Sequence, residues 1–498
     1  MNTIYKTVIL TLLSQWMVFN AIAQNDKKLT DATLSKNKIK AHLHFLASDE
    51  LRGRDTPSPE QMIAAKYLAT QLRSYGVKPL PQYPNYLQPV KMKRKGKLQE
   101  VNLNYASKQF KFIKNTLLMD GGSIDLDQEA VFVNHGTKED FDKINVKGKI
   151  VIALCGDGKA SSARKWFRLG NEKRALAQKK GAVALVELYR NQQLPWRVLT
   201  RYFADGESTS VSLSESQGEP FTHIWLNDPK FQEANFWKKT KNHQTQIRIK
   251  GTGIQQFNTY NVVGYVEGSD AKLKNEYVVY SAHYDHIGTG KANAKGDSIY
   301  NGARDNAVGT VTVLGAAENI AKYPTKRSAL FVMFTGEEKG LLGSNWYVNH
   351  SPIALNKIVY CFNSDNGGYN DTKVATIIGL GRTTADVYIK KACQAYDLEA
   401  IDDPAKEQGL FDRSDNVNFA QKGIPAPTYS LGFRAFDSEI MRYYHQVTDQ
   451  ADNLDYDYLY KFFGSYIYSC RLIGNAATRP FWKKGDKYYK AGKKLYKK

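Results

Sequence analysis

The hydrophobic pattern of the C-terminal half alternates short apolar runs with segments of helical period. Each apolar run is typical of a buried strand, and helical patterns such as the one from Asn306 to Ala321 lie between the runs. In chain order the strand candidates are NVVGYVEG, EYVVYSAHYD, SALFVMFTG, KIVYCFNSD and IPAPTYSLG. Strands that alternate with helices predict an α/β fold, with a mostly parallel central sheet and helices on both faces.

The N-terminal half has a different pattern of apolar and polar positions. A helical pattern runs from Lys36 to about Tyr75, and residues 85–120 show short alternating strands. From about 122 to 250 the order strand, turn, strand, helix, strand predicts a smaller, β-rich α/β domain. One hydrophobic core rarely exceeds about 300 residues, so a chain of 498 predicts two domains. We expect residues 24–121 and 251–480 to form the larger domain, and 122–250 to be an insertion into it.

The first 23 residues predict a cleaved export signal. Lys6 precedes an apolar run, and Ala21-Ile22-Ala23 gives the small-x-small pattern that signal peptidase reads, so we expect cleavage before Gln24. A membrane anchor is the alternative, but a spanning helix needs about 20 apolar residues and polar side chains interrupt this run. No cysteine lies at the cleavage point for a lipid anchor. We therefore expect an exported protein, periplasmic or secreted.

Charge and cysteine content narrow the classes of partner. The formal net charge is +21, and the basic tail at 481–498 holds eight lysines against Asp486, which is 8 − 1 = +7. No nucleic-acid motif accompanies this charge, so we expect no nucleic-acid partner. The tail favours a solvated, frayed segment, with weak contact to an anionic envelope as the alternative. The four cysteines are widely spaced and favour buried free thiols over a disulfide framework.

Acidic and histidine side chains recur where the predicted strands end. In such sheets ligands bind outside the carboxyl ends of the strands, so these residues should meet on one rim. A lone aspartate or histidine at a strand end is usually only a loop cap, and it is the repetition that indicates a metal site. The residues are His283 and Asp285, Asp305, Glu337 and Glu338, Asp365 and, from a later loop, His445.

Imidazole nitrogen and carboxylate oxygen are the donors that catalytic zinc takes, with one position left open for water. Two Zn²⁺ bring four positive charges and three carboxylate ligands return three, which leaves a centre able to acidify water. In the Glu337–Glu338 pair, one carboxylate would bind metal while the other accepts the proton of the water. Asp285, Asp415 and Asp449 are candidates for the outer carboxylate that orients a ligating histidine.

Five separated segments together resemble a known family. GARDNAVGT, FTGEEKGLLGS and YYHQVTDQADNLD resemble motifs of the di-zinc peptidases that include bacterial leucyl aminopeptidases and glutamate carboxypeptidase. HYDHIG and SDNVNFAQKGIPA resemble two further motifs, in family order. NVKGKIVIALCGDG with KKGAVALVEL is similar to the protease-associated domain that secreted members carry as an insertion. The resemblance extends from about Lys36 to about Ile473 and implies the zinc exopeptidase fold.

The resemblance also implies roles for individual residues. His283 and Asp365 would hold one zinc, Glu338 and His445 the other, and Asp305 would bridge the two. Glu337 would be the general base that activates a water held between the metals, and we count Asp285 with it as catalytic. The expected protein is an aminopeptidase that removes N-terminal residues from peptides, and other divalent metals could replace zinc.

The sequence departs from the family at three places and leaves alternatives open. Arg304 stands beside the bridging aspartate where an acid is usual, Asn416 replaces a histidine, and NSDNGG replaces a commoner segment. No tyrosine for oxyanion stabilisation is found, because Phe411 occupies the expected region. A carboxypeptidase-like enzyme using Arg304 and Arg413, a single-zinc glutaminyl cyclase, and a non-catalytic peptide-binding protein are the competing interpretations.

Overall fold

The chain forms two compact units. A computed structural model describes residues 25–95, 98–158, 163–190, 195–203, 211–213, 221–251 and 254–497, and the predicted signal at 1–23 lies outside these residues. One unit comprises Met1–Val90 with Asn258–Lys498, and the other comprises Lys91–Phe257. None of the helices in the described ranges has the length and apolar character that a membrane span requires.

The strands and helices follow the predicted alternation. The strands are Lys78–Pro79 (β1), Leu87–Lys95 (β2), Leu98–Tyr105 (β3), Lys108–Lys111 (β4), Thr116–Asp120 (β5), Ile124–Phe132 (β6), Ile150–Leu154 (β7), Ala184–Tyr189 (β8), Val211–Leu213 (β9), Thr222–Asn227 (β10), Asn242–Gly251 (β11), Ile254–Val266 (β12), Tyr277–His283 (β13), Ser328–Phe334 (β14), Ile358–Ser364 (β15), Val374–Ile378 (β16), Glu399–Asp402 (β17) and Thr428–Leu431 (β18). The α-helices are Lys36–Leu46 (α1), Pro59–Ser74 (α2), Lys138–Asp142 (α3), Ala163–Lys179 (α4), Trp196–Phe203 (α5), Gln232–Thr240 (α6), Gly309–Lys322 (α7), Leu342–Asn349 (α8), Asp386–Gln394 (α9), Asn416–Gln421 (α10), Ser438–Met441 (α11), Tyr456–Asn475 (α12) and Tyr489–Tyr496 (α13). A further helical stretch covers residues 25–31.

The sheet of the first unit has the strand order β17-β16-β18-β15-β13-β14-β12. Its four central strands, β18, β15, β13 and β14, are parallel to one another. The pairs β16–β18 and β12–β14 are antiparallel, so the sheet becomes mixed towards its edges. The centre is therefore parallel, and the carboxyl ends of its strands lie on one rim.

Helices cover both faces of this sheet. Along β13 the side chains of Val278, Tyr280 and Ala282 pack into one core, which also takes residues of α1, α2, α7 and α12. Val279 points into a second core with residues of α8 and α10. Both faces of a central strand are thus buried, which explains why these strands read as continuous apolar runs rather than alternating ones.

The basic tail is docked and not frayed, contrary to the expectation from its charge. Trp482 is 1% exposed, and its indole N–H donates to Gly423 O over 3.0 Å. Tyr496 donates its hydroxyl to Ile358 O over 2.6 Å. The apolar side chains of the segment pack on the core, an arrangement that a count of lysines could not reveal.

The second unit has its own sheet, with the order β4-β3-β11-β6-β7-β8-β10-β5. Strands β6, β7, β8 and β10 are parallel, and the outer pairs are antiparallel. The unit begins at Lys91 and ends at Phe257, whereas the sequence analysis placed the insertion at 122–250. The difference arises because β3 pairs with β11, which brings the strands after residue 91 into this unit.

Candidate metal centre

The predicted ligands meet at the carboxyl ends of the central parallel strands. His283 is the last residue of β13, Asp365 follows β15 directly, and Glu337 and Glu338 lie in the turn after β14. Asp305 lies in the short helical turn before α7. His445 reaches the same place from a loop, with a positive φ of 55°. The rim predicted from the strand ends is therefore the place where these side chains converge.

Asp305 divides its two carboxylate oxygens between two groups of donors. Its Oδ1 lies 3.3 Å from His283 Nε2, and its Oδ2 lies 3.1 Å from His445 Nε2. His283 Nε2 is also 3.3 Å from Asp365 Oδ1, and His445 Nε2 is 3.4 Å from Glu338 Oε2. Tetrahedral zinc with ligands at 2.0–2.2 Å places neighbouring donor atoms about 3.3 Å apart, so both groups fit that ion.

The site carries more carboxylates than cationic partners. Burial opposes the charge on His283, but the carboxylates of Glu337, Asp365 and Asp305 raise its pKa well above the usual value. Burial likewise opposes the charge on Asp305, yet hydrogen bonds from His283 and His445 bring its pKa well below the usual range. Such strong mutual shifts in one cleft are typical of a functional site, and excess negative charge of this kind suits divalent cations.

Glu337 lies beside the predicted metal ligands and is not counted among them. Its Oε2 is 3.9 Å from His283 Nε2, and its side chain is 11% exposed. Burial raises its pKa well above the ordinary value, and the charges of Asp365 and Glu338 add to this effect against the opposing charge of His283. A carboxylate with a raised pKa that still reaches the surface is suited to accept and return a proton.

Asp285 lies behind His283 and away from the open side of the site. It is completely buried, its Oδ2 accepts from the Thr56 hydroxyl over 3.1 Å, and its Oδ1 accepts from the Glu337 amide over 3.2 Å. Burial raises its pKa to about 6. This position suits an orienting group and not one that touches the reacting atoms. Asp285, which we counted as catalytic, thus has the contacts of a candidate positioning residue.

Asp449 and Arg54 hold the backbone around the bridging aspartate. The carboxylate of Asp449 accepts from the amides of Arg304 and Asp305 at 2.9–3.1 Å. Arg54 is 1% exposed and donates to the carbonyls of Tyr284, Asn301 and Gly302. Burial lowers the pKa of Arg54 to about 10, against the opposing charges of Asp285 and Asp305. Hydrogen bonds between buried charged side chains and the backbone thus hold the loops that carry the predicted ligands.

The Arg304 guanidinium is bound by other residues of the protein and is not free to bind a substrate. Its Nη1 donates to Asp449 Oδ1 over 3.0 Å, and its guanidinium lies 3.7 Å from the ring centroid of Tyr443. It also donates to the side chain and carbonyl of Asn453. The residue is 2% exposed. Arg304 therefore cannot seed the arginine cluster that a carboxypeptidase-like interpretation requires.

Two residues of the site were missed by the sequence analysis. His286 is completely buried, with Nδ1 2.8 Å from Glu338 Oε1. Tyr444 stacks on His445 with 4.1 Å between ring centroids, and its hydroxyl lies 3.3 Å from Arg413 Nη2. Burial raises the pKa of Tyr444, as do Asp305 and Glu338, against the charge of Arg413. Both are adjacent in sequence to predicted residues, and that adjacency was the available signal.

The two remaining departures are structural. Asn416 donates to the carbonyls of Phe411 and Ala426, both over 3.1 Å. Phe411 itself packs near Trp482 and Tyr488 and not beside the ligands. The Asn366 side chain donates to Asn306 Oδ1 and accepts from the Leu431 amide. These substitutions stabilise the loops without adding a ligand.

Fold and site together define an α/β protein in which groups of histidines and carboxylates that could hold a metal ion adjoin at the carboxyl ends of parallel strands. Residues 261–467 match the model of Peptidase family M28, and the chain thus carries a domain of that family. The α/β zinc exopeptidase fold, predicted from the motifs, is confirmed. An aminopeptidase from Aneurinibacillus sp. strain AM-1 has a similar fold, with a TM-score of 0.55 and 19% identity over 89% of this chain and 95% of that one.

Curated relatives match only in part. A probable leucine aminopeptidase 2 of Aspergillus oryzae is 30% identical over 188 residues, which is 36% of this chain and 35% of the relative. Aminopeptidase YwaD of Bacillus subtilis is 26% identical over 214 residues, which is 42% of this chain and 44% of the relative. The matches thus span less than half the length of either relative.

Proposed function

We propose that the protein is an exported zinc-dependent aminopeptidase that releases N-terminal residues from peptides. The observation that carries this proposal is the division of the Asp305 oxygens between the His283–Asp365 and Glu338–His445 groups, with Glu337 beside them. These residues would hold two zinc ions per chain. Export rests on the sequence of residues 1–23, and the aminopeptidase activity rests on the family and its named relatives.

Zinc bound there would supply positive charge that acidifies a water molecule and polarises the scissile carbonyl. Glu337 would accept the proton of the attacking water and return it to the leaving amine. Tyr444 is the candidate for hydrogen bonding to the oxyanion, because it stacks on His445 and its hydroxyl meets Arg413. Asp285 and Asp449 would keep His283 and Asp305 in place.

The carboxypeptidase-like alternative loses one of its two arginines, because the Arg304 guanidinium is bound by Asp449 and Asn453. Arg413, which donates to the Tyr444 hydroxyl, is the arginine that this alternative would still use. A single-zinc cyclase would need only one donor group, whereas the described residues offer two that share Asp305. A non-catalytic peptide-binding protein would not require Glu337 to lie within reach of the ligands.

The test measures zinc content and hydrolysis of an aminoacyl-p-nitroanilide panel. Glu337→Gln should keep two zincs per chain and lose about 10²–10⁴-fold in kcat, the usual worth of a general base. The exposed Glu439 provides a matched control, since Glu439→Gln removes the same charge outside the donor groups. Turnover of blocked peptides but not of free-amine substrates would overturn the aminopeptidase assignment, and a single zinc would favour the cyclase.

A further inference from the structure

His286 faces the oxygen of Glu338 that does not face His445. Its Nδ1 is 2.8 Å from Glu338 Oε1, while Glu338 Oε2 lies 3.4 Å from His445 Nε2. The same Nδ1 is 4.0 Å from Asp305 Oδ2. His286 is therefore near enough to the second donor group to be either one of its ligands or a support for Glu338.

The other ring nitrogen decides between these roles. Nε2 of His286 is buried and meets no hydrogen-bond partner among the described residues. A neutral imidazole carries one N–H, and a ligating Nδ1 would place that hydrogen on Nε2. A buried donor without an acceptor costs about 1–3 kcal/mol, whereas hydrogen on Nδ1 points directly at a carboxylate oxygen. The favoured tautomer therefore donates from Nδ1 and leaves no lone pair there for a cation.

Gly302 provides the space that the His286 ring occupies. A Cβ built on Gly302 would lie 2.6 Å from both Cγ and Cδ2 of His286, and the glycine has a φ of +60°. On another side the ring contacts His445 edge to face, with 5.4 Å between centroids. The His286 backbone amide donates to Arg54 O over 3.3 Å. These contacts hold the ring in the orientation that aims Nδ1 at Glu338.

We propose that His286 is a positioning residue that donates from Nδ1 to Glu338 Oε1 and so presents Oε2 to the cation held by Asp305, Glu338 and His445. The inference rests on the proposed zinc site and adds to it the group that selects which oxygen of Glu338 binds. A hydrogen bond from His286 also helps to bring the pKa of Glu338 down to about 2, against its burial and the charge of Asp305. Supports of this kind typically change metal affinity by 10–100-fold.

The test compares three substitutions in the full chain. In His286→Asn the amide nitrogen takes the place of Nδ1, whereas in His286→Gln it takes the place of Nε2, and His286→Leu has no donor. Zinc is titrated against a chromophoric chelator, which gives the count and affinity of each site without relying on activity. We expect the zinc affinity of the site formed by Asp305, Glu338 and His445 to fall about 10–100-fold in the Gln and Leu variants. In the Asn variant the affinity should remain within a few-fold of wild type.

Each outcome decides one question. If Asn is as damaging as Leu, then the ring is a ligand and the proposal is wrong. If all three variants bind zinc as wild type does, His286 only fills space, which also overturns it. If the wild type binds no zinc, the proposed function itself fails. A folding defect of Leu, seen in circular dichroism, leaves the comparison of Asn with Gln intact.

A second, independent observation concerns the docked helix α13. Its apolar side chains face inward, where Tyr489 packs on Phe481 and Leu495 belongs to the same core. The opposite face carries exposed lysines spaced as i, i+3 and i+4, which occupy one side of a helix. They are Lys490, Lys493 and Lys494, and the exposed Lys497 follows directly after the end of the helix; none of these four lysines makes an ion pair with a described residue.

We infer that this lysine face binds an anionic lipid surface. It is rigid because the helix is docked, and it presents no apolar side chain for insertion, so attraction would be electrostatic. An acidic polysaccharide is the less favoured partner, since the aromatic rings that could stack on sugars are turned inward at Tyr489 and Tyr496. The surface thus fits phosphate headgroups spread in a plane.

The test is co-sedimentation of the full chain with vesicles of phosphatidylcholine alone or mixed with phosphatidylglycerol. Replacing all four lysines by glutamine should lower the partition coefficient on the anionic vesicles at least about tenfold, and salt should weaken wild-type binding. An equal-charge control replaces four exposed lysines of the second unit: Lys114, Lys147, Lys238 and Lys239. Equal loss in that control, or binding only to an acidic polysaccharide, would show that the lysine face is not a lipid site.

Discussion

The first unit buries an acidic cluster around His283, and the second unit contains a buried cluster in which hydrogen-bond donors surround the carboxylate of Glu187. Lys173 Nζ donates to Glu187 Oε1 over 2.8 Å and to the carbonyls of Leu154 and Gly156. The other oxygen of Glu187 lies 2.8 Å from His223 Nε2 and 2.9 Å from Trp225 Nε1. Both clusters are inaccessible to solvent at their centres, yet they differ in how completely their charges are matched.

That difference separates a structural cluster from a candidate site. In the second unit every donor of the Lys173 ammonium has an acceptor, and one negative charge meets one fixed positive charge. Around Asp305 the carboxylates outnumber their cationic partners. Burial, with the charges of neighbouring carboxylates, raises the pKa of Glu337, whereas hydrogen bonds from two histidines lower the pKa of Asp305 against its burial. Burial alone does not indicate function; an excess of one charge that the protein leaves unmatched does.

The largest effect is expected from a substitution that breaks the fully hydrogen-bonded cluster around Glu187. Glu187→Ala leaves the Lys173 ammonium buried without its carboxylate, and loss of one partner of a buried pair costs about 3–5 kcal/mol. We expect the free energy of unfolding of the second unit to fall by that amount, measured by hydrogen exchange of β8 and β10. Zinc content should stay unchanged. Loss of zinc in this variant would mean that the two clusters are not independent.

Zinc should stabilise the unit with the unmatched charges. At a free zinc concentration 1,000 times the dissociation constant, binding adds about 4 kcal/mol to the stability of the folded state. We therefore expect a chelator to lower the midpoint of thermal unfolding, and added zinc to restore it. The Glu187→Ala protein should show the same zinc-dependent shift, whereas a protein in which Asp305→Asn removes the shared ligand should show little of it.

Acid should destabilise the second unit through Glu187. Although burial opposes its charge, Lys173 and His223 lower the pKa of Glu187 from 4.5 to about 2. Because the folded-state pKa is below the unfolded value, its contribution is fully present above pH 4.5 and is lost as the pH falls towards 2. The contribution is about 3 kcal/mol. Urea unfolding at pH 6 and pH 3 checks this, and Glu187→Gln should remove that share of the pH dependence.

The smallest effect is expected from a substitution of Tyr444, which tests the role of its hydroxyl in the site. Tyr444→Phe keeps the ring that stacks on His445 but removes the hydroxyl that meets Arg413. If the hydroxyl stabilises the oxyanion, kcat should fall about 10²-fold, with zinc affinity and KM nearly unchanged. A change in KM alone would instead assign Tyr444 to substrate binding, and unchanged kinetics would remove it from the mechanism.

Much of this site could be predicted from local signals. The strands β13, β14 and β15 are buried on both faces and therefore read as apolar runs, and the polar residues that end them had to lie on one rim. His445 comes from a loop, and no strand end places it on that rim. The alternating strands after residue 91 were assigned to the wrong unit, since alternation shows which face is buried but not the partner.

By itself the sequence determined the α/β class, the parallel centre of the larger sheet and which acidic and histidine side chains end its strands, because periodicity and strand ends are properties of neighbouring residues. Only the tertiary structure decided the roles of Arg304, His286 and the C-terminal tail. Each depends on a partner far away in the chain: Asp449 for Arg304, Glu338 for His286 and Gly423 for Trp482. The energy of a buried charge or ring depends on such partners, and a single stretch of sequence does not name them.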